Sequence, residues 1–173
     1  MRRLTPSLCA QAAKDFNRRG LCPAPFSMRP ATLENLDEIL HIGQTCFSYN
    51  APTRTEIRHM LTKAHGAIVG LCDGDVIAGY MLVEAHAGRG TIYFNTTALL
   101  PAYRGRGLGN LLYEFADFLA KTIQAKALWC HVAVNNDLTI HLLKKNGYGV
   151  SRTETEYYDD GRSAYVMRKA VSS

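Results

Sequence analysis

Leu100-Pro101-Ala102-Tyr103-Arg104-Gly105-Arg106-Gly107-Leu108-Gly109-Asn110 separates a β-branched and aromatic run, Thr91 to Leu100, from the best helical stripe in the chain, Leu108, Leu111, Leu112, Phe115 and Leu119. Glycines at such a strand-to-helix turn let the chain reverse tightly and let a ligand approach the backbone, while the unpaired amides of the helix start attract an anion. Arg104 and Arg106 add donors suited to phosphate oxygens. Two other phosphate motifs are excluded. The chain has no G-x-x-x-x-G-K-[ST], and Gly105-x-Gly107-x-Gly109 is not the G-x-G-x-x-G dinucleotide spacing. A glycine-rich turn beside two solvated arginines is the plainer alternative.

Outward from this turn the punctuation is regular. Downstream, Ala127 to Val134 reads as a strand, so strand, helix and strand form a right-handed parallel crossover. Asn135-Asn136-Asp137 supplies an N-cap for a helix ending near Gly147, and Tyr148 to Tyr157 and Ser163 to Lys169 form a closing hairpin around Asp159-Asp160-Gly161. Upstream, Phe26 to Arg29 is a short strand. Thr32 caps a helix carrying Leu33, Leu36, Ile39, Leu40 and Gly43, and Thr53-Arg54-Thr55-Glu56 is a capping box for a helix to about Lys63. Ala67 to Cys72 and Val76 to Glu84 flank the hairpin signal Asp73-Gly74. The order β-α-α-β-β-β-α-β-α-β-β is an α/β fold with one parallel strand pair, the natural place for a crevice.

The chain has 173 residues, 47% apolar and 20% charged, ordinary for one globular domain. Its net charge of +5 invites a nucleic-acid or membrane-surface reading, but the excess is local. Residues 1–29 hold Arg2, Arg3, Lys14, Arg18, Arg19 and Arg29 against Asp15 alone, and the other 144 residues balance 14 bases with 14 acids. Residues 1–25 are therefore read as a basic N-terminal extension of a domain spanning 26–173. Five widely spaced cysteines without a C-x-x-C pair suggest neither a zinc cluster nor a disulfide framework, which fits a reducing, cytoplasmic setting and no metal. No apolar run reaches the ~18 residues of a membrane span.

Arg104-x-x-Gly107-x-Gly109 resembles the R/Q-x-x-G-x-G/A pyrophosphate loop of the GNAT N-acetyltransferases, and the likeness in element order extends over about residues 26–170. Leu128-Trp129-Cys130-His131-Val132 followed by Asn136, the helix exit Lys145-Asn146-Gly147-Tyr148, and residues 157–169 are similar to the N-alpha-acetyltransferases within that family. The resemblance implies a mostly antiparallel sheet with one central parallel pair and helices on both faces, and an enzyme using acetyl-CoA. It implies that Thr97, Ala98 and Leu99 offer backbone groups to the pantetheine arm, that Arg104, Gly105, Arg106, Gly107, Leu108, Gly109 and Asn110 take the pyrophosphate, and that Asn136 bonds the cofactor besides capping its helix.

His131 lies mid-strand on the second member of the parallel pair, where a histidine serves equally as a core residue or as a base titrating near neutrality. The resemblance implies a catalytic histidine working through water with a tyrosine on the preceding strand, which falls on Tyr93. It also implies an acceptor entrance between Phe47, Ser48 and Tyr49 and the pair Tyr157-Tyr158, although adjacent tyrosines at a strand end are ordinary sheet residues. The tyrosine that many relatives use to protonate the CoA thiolate is here Leu143, so no general acid is assigned; a thiol pKa of about 8.5 makes the thiolate a tolerable leaving group. The leading acceptor is a protein or peptide N-terminal amine. A lysine side chain or small amine, and a CoA-binding module without catalysis, are the alternatives. Contact with the ribosome or another anionic surface is attached to residues 1–25, whose deletion is expected to leave acetyl-CoA affinity intact.

Overall fold

A computed structural model describes residues 1–49 and 51–172. Its elements are α1 (Pro6–Arg18), β1 (Phe26–Pro30), α2 (Leu36–Cys46), α3 (Arg54–Thr62), β2 (Gly66–Asp73), β3 (Val76–His86), β4 (Thr91–Leu99), α4 (Leu108–Thr122), β5 (Ala127–Ala133), α5 (Asp137–Lys145), β6 (Gly149–Glu154) and β7 (Ala164–Ala170). The strands form one sheet in the order β1-β2-β3-β4-β5-β7-β6, antiparallel except for the β4–β5 pair. The expected order from residue 26 onward is present. Thr53 starts α3 as a capping box, accepting from the Glu56 amide at 3.2 Å while its own amide donates to the Glu56 carboxylate at 2.8 Å.

Strand alternation divides the core between the two faces of the sheet. Val69, Leu71, Met81, Val83, Ile92 and Phe94 face α1, α4 and α5, whereas Ile68, Tyr80 and Leu82 face α2 and α3. In β4 the alternation changes phase. Ile92 and Phe94 belong to the first face, but Ala98, which strict alternation would put beside them, is buried on the second. The cause is a β-bulge: Val83 pairs with Phe94 and Leu82 with Thr96, leaving Asn95 as the extra residue. The parallel pairing of β4 with β5 runs only from Thr91 to Tyr93, so the two strands part where the bulge begins.

The boundary expected after residue 25 is not where the core ends. Residues 6–18 form α1, capped by the Thr5 hydroxyl accepting from the Leu8 amide, with Pro6 in its first turn. Cys9, Ala12, Ala13 and Phe16 recur at helical spacing and are buried in the same core as α4. Phe16 meets Phe115 and Phe118 edge to face at 5.4 and 5.5 Å. The Asn17 side chain donates to the Met28 carbonyl and accepts from the Met28 amide, both at 2.9 Å, and so clips α1 to β1. Arg2, Arg3, Lys14, Arg18 and Arg19 are exposed around this apolar stripe. The stripe is short and half alanine, so the charge excess masks it in the sequence.

Deleting residues 1–25 should therefore strip the apolar face of α4 and disrupt folding rather than remove a tail. Phe16→Ala should lower the unfolding free energy by about 3–5 kcal/mol in urea denaturation; an unchanged midpoint would mean that α1 adds nothing to the core.

Candidate active site

The parting of β4 and β5 opens a cavity of about 420 Å³. Tyr93 and Thr97 of β4, His131 of β5, Asn136 at the start of α5, and Tyr157 and Tyr158 from the β6–β7 connection all reach it, as do Phe47, Ser48 and Tyr49 after α2. Phe47, Ser48 and Tyr49 put one wall of the cavity on the α2 side. The α2–α3 layer covers residues of β2, β3 and β4 but none of β5, β7 or β6, so on this face, among the described residues, that half of the sheet has no helix over it.

His131 sits at the apex with both ring nitrogens engaged. Nδ1 is 3.1 Å from the Tyr93 hydroxyl and Nε2 is 2.9 Å from a carboxylate oxygen of Glu154. The other Glu154 oxygen accepts from Arg152 Nε at 3.0 Å and Nη2 at 2.6 Å. Tyr157 stacks on the imidazole, with centroids 4.0 Å apart and planes at 16°, and Trp129 lies against the Tyr93 ring at 4.4 Å. Burial lowers the His131 pKa from 6.5, opposed by the Glu154 carboxylate and reinforced by Arg152. The imidazole is therefore neutral at pH 7. Burial, then the neighbouring Tyr157 hydroxyl, pushes Tyr93 well above the usual phenol range, so it stays a hydroxyl. Hydrogen bonds from Arg152 lead in holding the Glu154 carboxyl below its ordinary value, so it is ionised.

Glu154 and Arg152 were not among the sequence candidates, and a second bulge explains why. Val150 pairs with Met167 and Arg152 with Val166, leaving Ser151 extra. Without that residue Thr153 would stand opposite Ala164 and Glu154 would face the other side. With it, Glu154 stands opposite Ala164, which stands opposite Ala133 of β5. Two alanines leave room for Glu154 to reach His131 across β7. No local sequence signal marks a bulge at a serine in an exposed strand.

The remaining expected residues lie along or beyond the cleft. Ala98 is buried under α2, and the Leu99 carbonyl accepts from Arg104 Nε at 2.9 Å and Cys46 Sγ at 3.3 Å. Residues 104–110 do not line the cavity; they form the turn into α4. Gly105 and Gly107 there have φ of +73° and +76° with open space where a Cβ would be, and Gly107 is an N-cap without a side-chain cap. Asn110 is used locally: its amide bonds Glu114 and its carbonyl accepts from Asn146 at 2.8 Å, tying α4 to the end of α5. The Asn136 carbonyl caps α5 by accepting from the Thr139 amide at 3.1 Å. Leu143 is fully buried in the cavity wall.

An unpaired strand edge leading to an uncapped, side-chain-free helix start suits an elongated ligand with an amide-bearing arm and an anionic end. The model of the acetyltransferase (GNAT) family matches residues 36–148. The chain belongs to the GNAT acetyltransferases. It is 26% identical over 153 residues to an N-alpha-acetyltransferase of Sulfurisphaera tokodaii, covering 82% of this chain and 91% of that protein. Its fold is similar to the ribosomal-protein-S18-alanine N-acetyltransferase of Escherichia coli, with a TM-score of 0.78 at 18% identity over 86% of this chain and 95% of the other. It is also similar to Arabidopsis thaliana NAA60 in complex with acetyl-CoA, with a TM-score of 0.75 at 14% identity over 84% and 98%. This GNAT protein is thus an acetyl-CoA-dependent acyltransferase, and the cleft fits that co-substrate. No helix of the described residues is long and apolar enough to cross a membrane.

Cys130 also lines the cavity, but burial pushes its thiol up to about 12, so at neutral pH it is no nucleophile for a covalent acyl-enzyme. Burial raises Cys9 to about 12 and Cys22 to about 11, and Cys72 is also raised. Of the five free cysteines only the half-buried Cys46 is accessible, at the cavity wall. A disulfide reagent at pH 8 should titrate one thiol in the native protein, acetyl-CoA should slow that reaction, and Cys46→Ser should abolish it.

Proposed function

We propose that this GNAT enzyme acetylates the N-terminal α-amine of a protein or peptide, with Tyr93 and His131 removing the proton. The observation carrying this reading is the 3.1 Å contact between Tyr93 and a neutral His131 at the apex of the cleft, in a chain 26% identical to an N-alpha-acetyltransferase. Tyr157 stacked on His131 and the Phe47-Ser48-Tyr49 segment bordering the same cavity support a groove able to take an extended peptide end-on.

Acetyl-CoA brings an acetyl group activated as a thioester: the amine nitrogen bonds the carbonyl carbon, the C–S bond breaks, and CoA leaves as its thiolate. Thr97 and Leu99 follow the bulge where β4 has left β5 and turn backbone groups to the open side for the pantetheine arm, whereas Ala98 between them pairs with Tyr80 of β3. Gly105 to Gly109, with the cationic Arg104 and Arg106, give the pyrophosphate its amides and charge. The Asn110 side chain is occupied by Glu114 and Asn146, which leaves its backbone for this role. Asn136 keeps its amide nitrogen for the cofactor while its oxygen caps α5. The Tyr93 oxygen takes the proton leaving the amine as its own hydroxyl proton passes to His131 Nδ1.

Such an enzyme works on nascent or mature proteins in the cytoplasm, where five unpaired thiols stay reduced. The exposed cations of α1 lie on the face of the sheet opposite the acceptor groove, and contact with the ribosome or another anionic surface would use that face.

Incubating the protein with acetyl-CoA and a library of peptides with free N-termini should give N-terminal products identified by mass spectrometry; acetylation confined to lysine side chains or small amines sinks the acceptor claim. His131→Ala should lower kcat at least ~100-fold with the acetyl-CoA dissociation constant unchanged. Because His131 works neutral and its pKa is lowered from 6.5, its protonation should not limit the rate at neutral pH, and the pH–rate profile should follow the acceptor's own α-amine, with an ordinary pKa of about 8.

A further inference from the structure

We propose that Glu154 is a positioning residue for acetyl transfer: bonded to His131 Nε2 and held by Arg152, it fixes the histidine tautomer that leaves Nδ1 free to receive the Tyr93 proton. This rests on the reading of Tyr93 and His131 as the proton-removing pair and adds the group that makes the pair directional.

The argument is one of donors and acceptors. A carboxylate only accepts hydrogen bonds, so the 2.9 Å contact to Glu154 requires the proton of the neutral imidazole to sit on Nε2. Nδ1 is then the bare acceptor, and the Tyr93 hydroxyl at 3.1 Å must donate to it. With the opposite tautomer Nδ1 would carry the proton and could take none from Tyr93. Arg152 occupies the other oxygen through two contacts, which keeps the carboxylate ionised and turned toward His131. During transfer the amine N–H proton goes to the Tyr93 oxygen and the Tyr93 proton to Nδ1, and the resulting imidazolium faces Glu154. The proton then leaves His131 for solvent by the reverse path, and the CoA sulfur takes one up.

An edge-strand ion pair with no function would need only Arg152 and Glu154, two residues apart on one face. It would not need the Ser151 bulge that turns both toward His131, nor the Ala164–Ala133 gap through which Glu154 reaches it. The titratable and charged groups around His131 are Tyr93 on β4, Arg152 and Glu154 on β6, and Tyr157 after β6, with Cys130 beside it on β5 and His86 of β3 against the Tyr93 and Trp129 rings, while β7 places the apolar Val166 opposite it. Glu154 is the only carboxylate in that set.

The test is nitrogen-15 NMR of the histidine rings in the full-length protein without acetyl-CoA, with the His131 signals assigned by their loss in His131→Ala. The expected result is a neutral His131 protonated on Nε2. Glu154→Gln should weaken that preference and lower the His131 titration midpoint, since the carboxylate that favours the imidazolium is gone. Arg152→Gln should raise the midpoint, since a repelling cation is gone. Opposite movements in the two variants are not what loss of folding produces, and Glu154→Asp should restore part of the wild-type behaviour. With acetyl-CoA and the peptide library, Glu154→Gln should lower kcat by about tenfold or more at unchanged acetyl-CoA affinity. An unchanged tautomer and midpoint in Glu154→Gln overturns the proposal, as does unchanged turnover in that variant while His131→Ala is inactive. Full turnover in His131→Ala is a different failure, because it removes the Tyr93–His131 reading itself.

Discussion

The separation of β4 from β5 at Asn95 is the constraint on which the site depends. Two parallel strands joined by a helix would ordinarily pair along their length and close the sheet. Here one extra residue bends β4 after Tyr93, and the strands share a ladder for only three residues. The same insertion exchanges the faces of the strand. Tyr93 stands before the bulge, on the side of His131, while Ala98 beyond it turns under α2 and Leu99 toward the opposite core. Tyr93 at the apex of the cleft and a strand edge that β5 leaves unpaired are thus two parts of one strand separated by one unpaired residue.

The second determinant is where the helical layers stop. α1, α4 and α5 pack against one face, whereas α2 and α3 leave the β5-β7-β6 half of the other uncovered. His131, Glu154 and Tyr157 occupy this margin, close enough to the core for His131 to lose solvation while His131 and Tyr157 still line the cavity. The imidazole is kept neutral by burial while Glu154 pulls the other way. Neither influence alone gives an imidazole that is neutral at rest and stabilised once charged.

Much of this was legible in the sequence, for reasons particular to each segment. Local signals are strong where a single element must satisfy its own backbone: the Thr53–Glu56 capping box, the Asp73-Gly74 turn and the glycine turn into α4 all lie where expected. The resemblance to the GNAT acetyltransferases pairs Tyr93 with His131, and these two residues, 38 positions apart, are in contact. What escaped notice was of two kinds. α1 buries one cysteine, two alanines and one phenylalanine beneath a surface of basic residues, so charge concealed a real apolar stripe. Glu154 depends on a change of strand phase, and the phase of an exposed strand is fixed by pairing with its neighbour rather than by its own residues.

β6 is the free edge of the sheet beyond β7, almost wholly exposed along Gly149–Glu154. A straight strand there would offer its open amides and carbonyls as a template for another chain. The extra residue at Ser151 kinks this edge, and Arg152 and Glu154 add charges beside the kink. The irregularity that turns a carboxylate toward the histidine therefore also protects the enzyme from edge-to-edge self-association. Straightening β6 would cost solubility as well as the Glu154 contact.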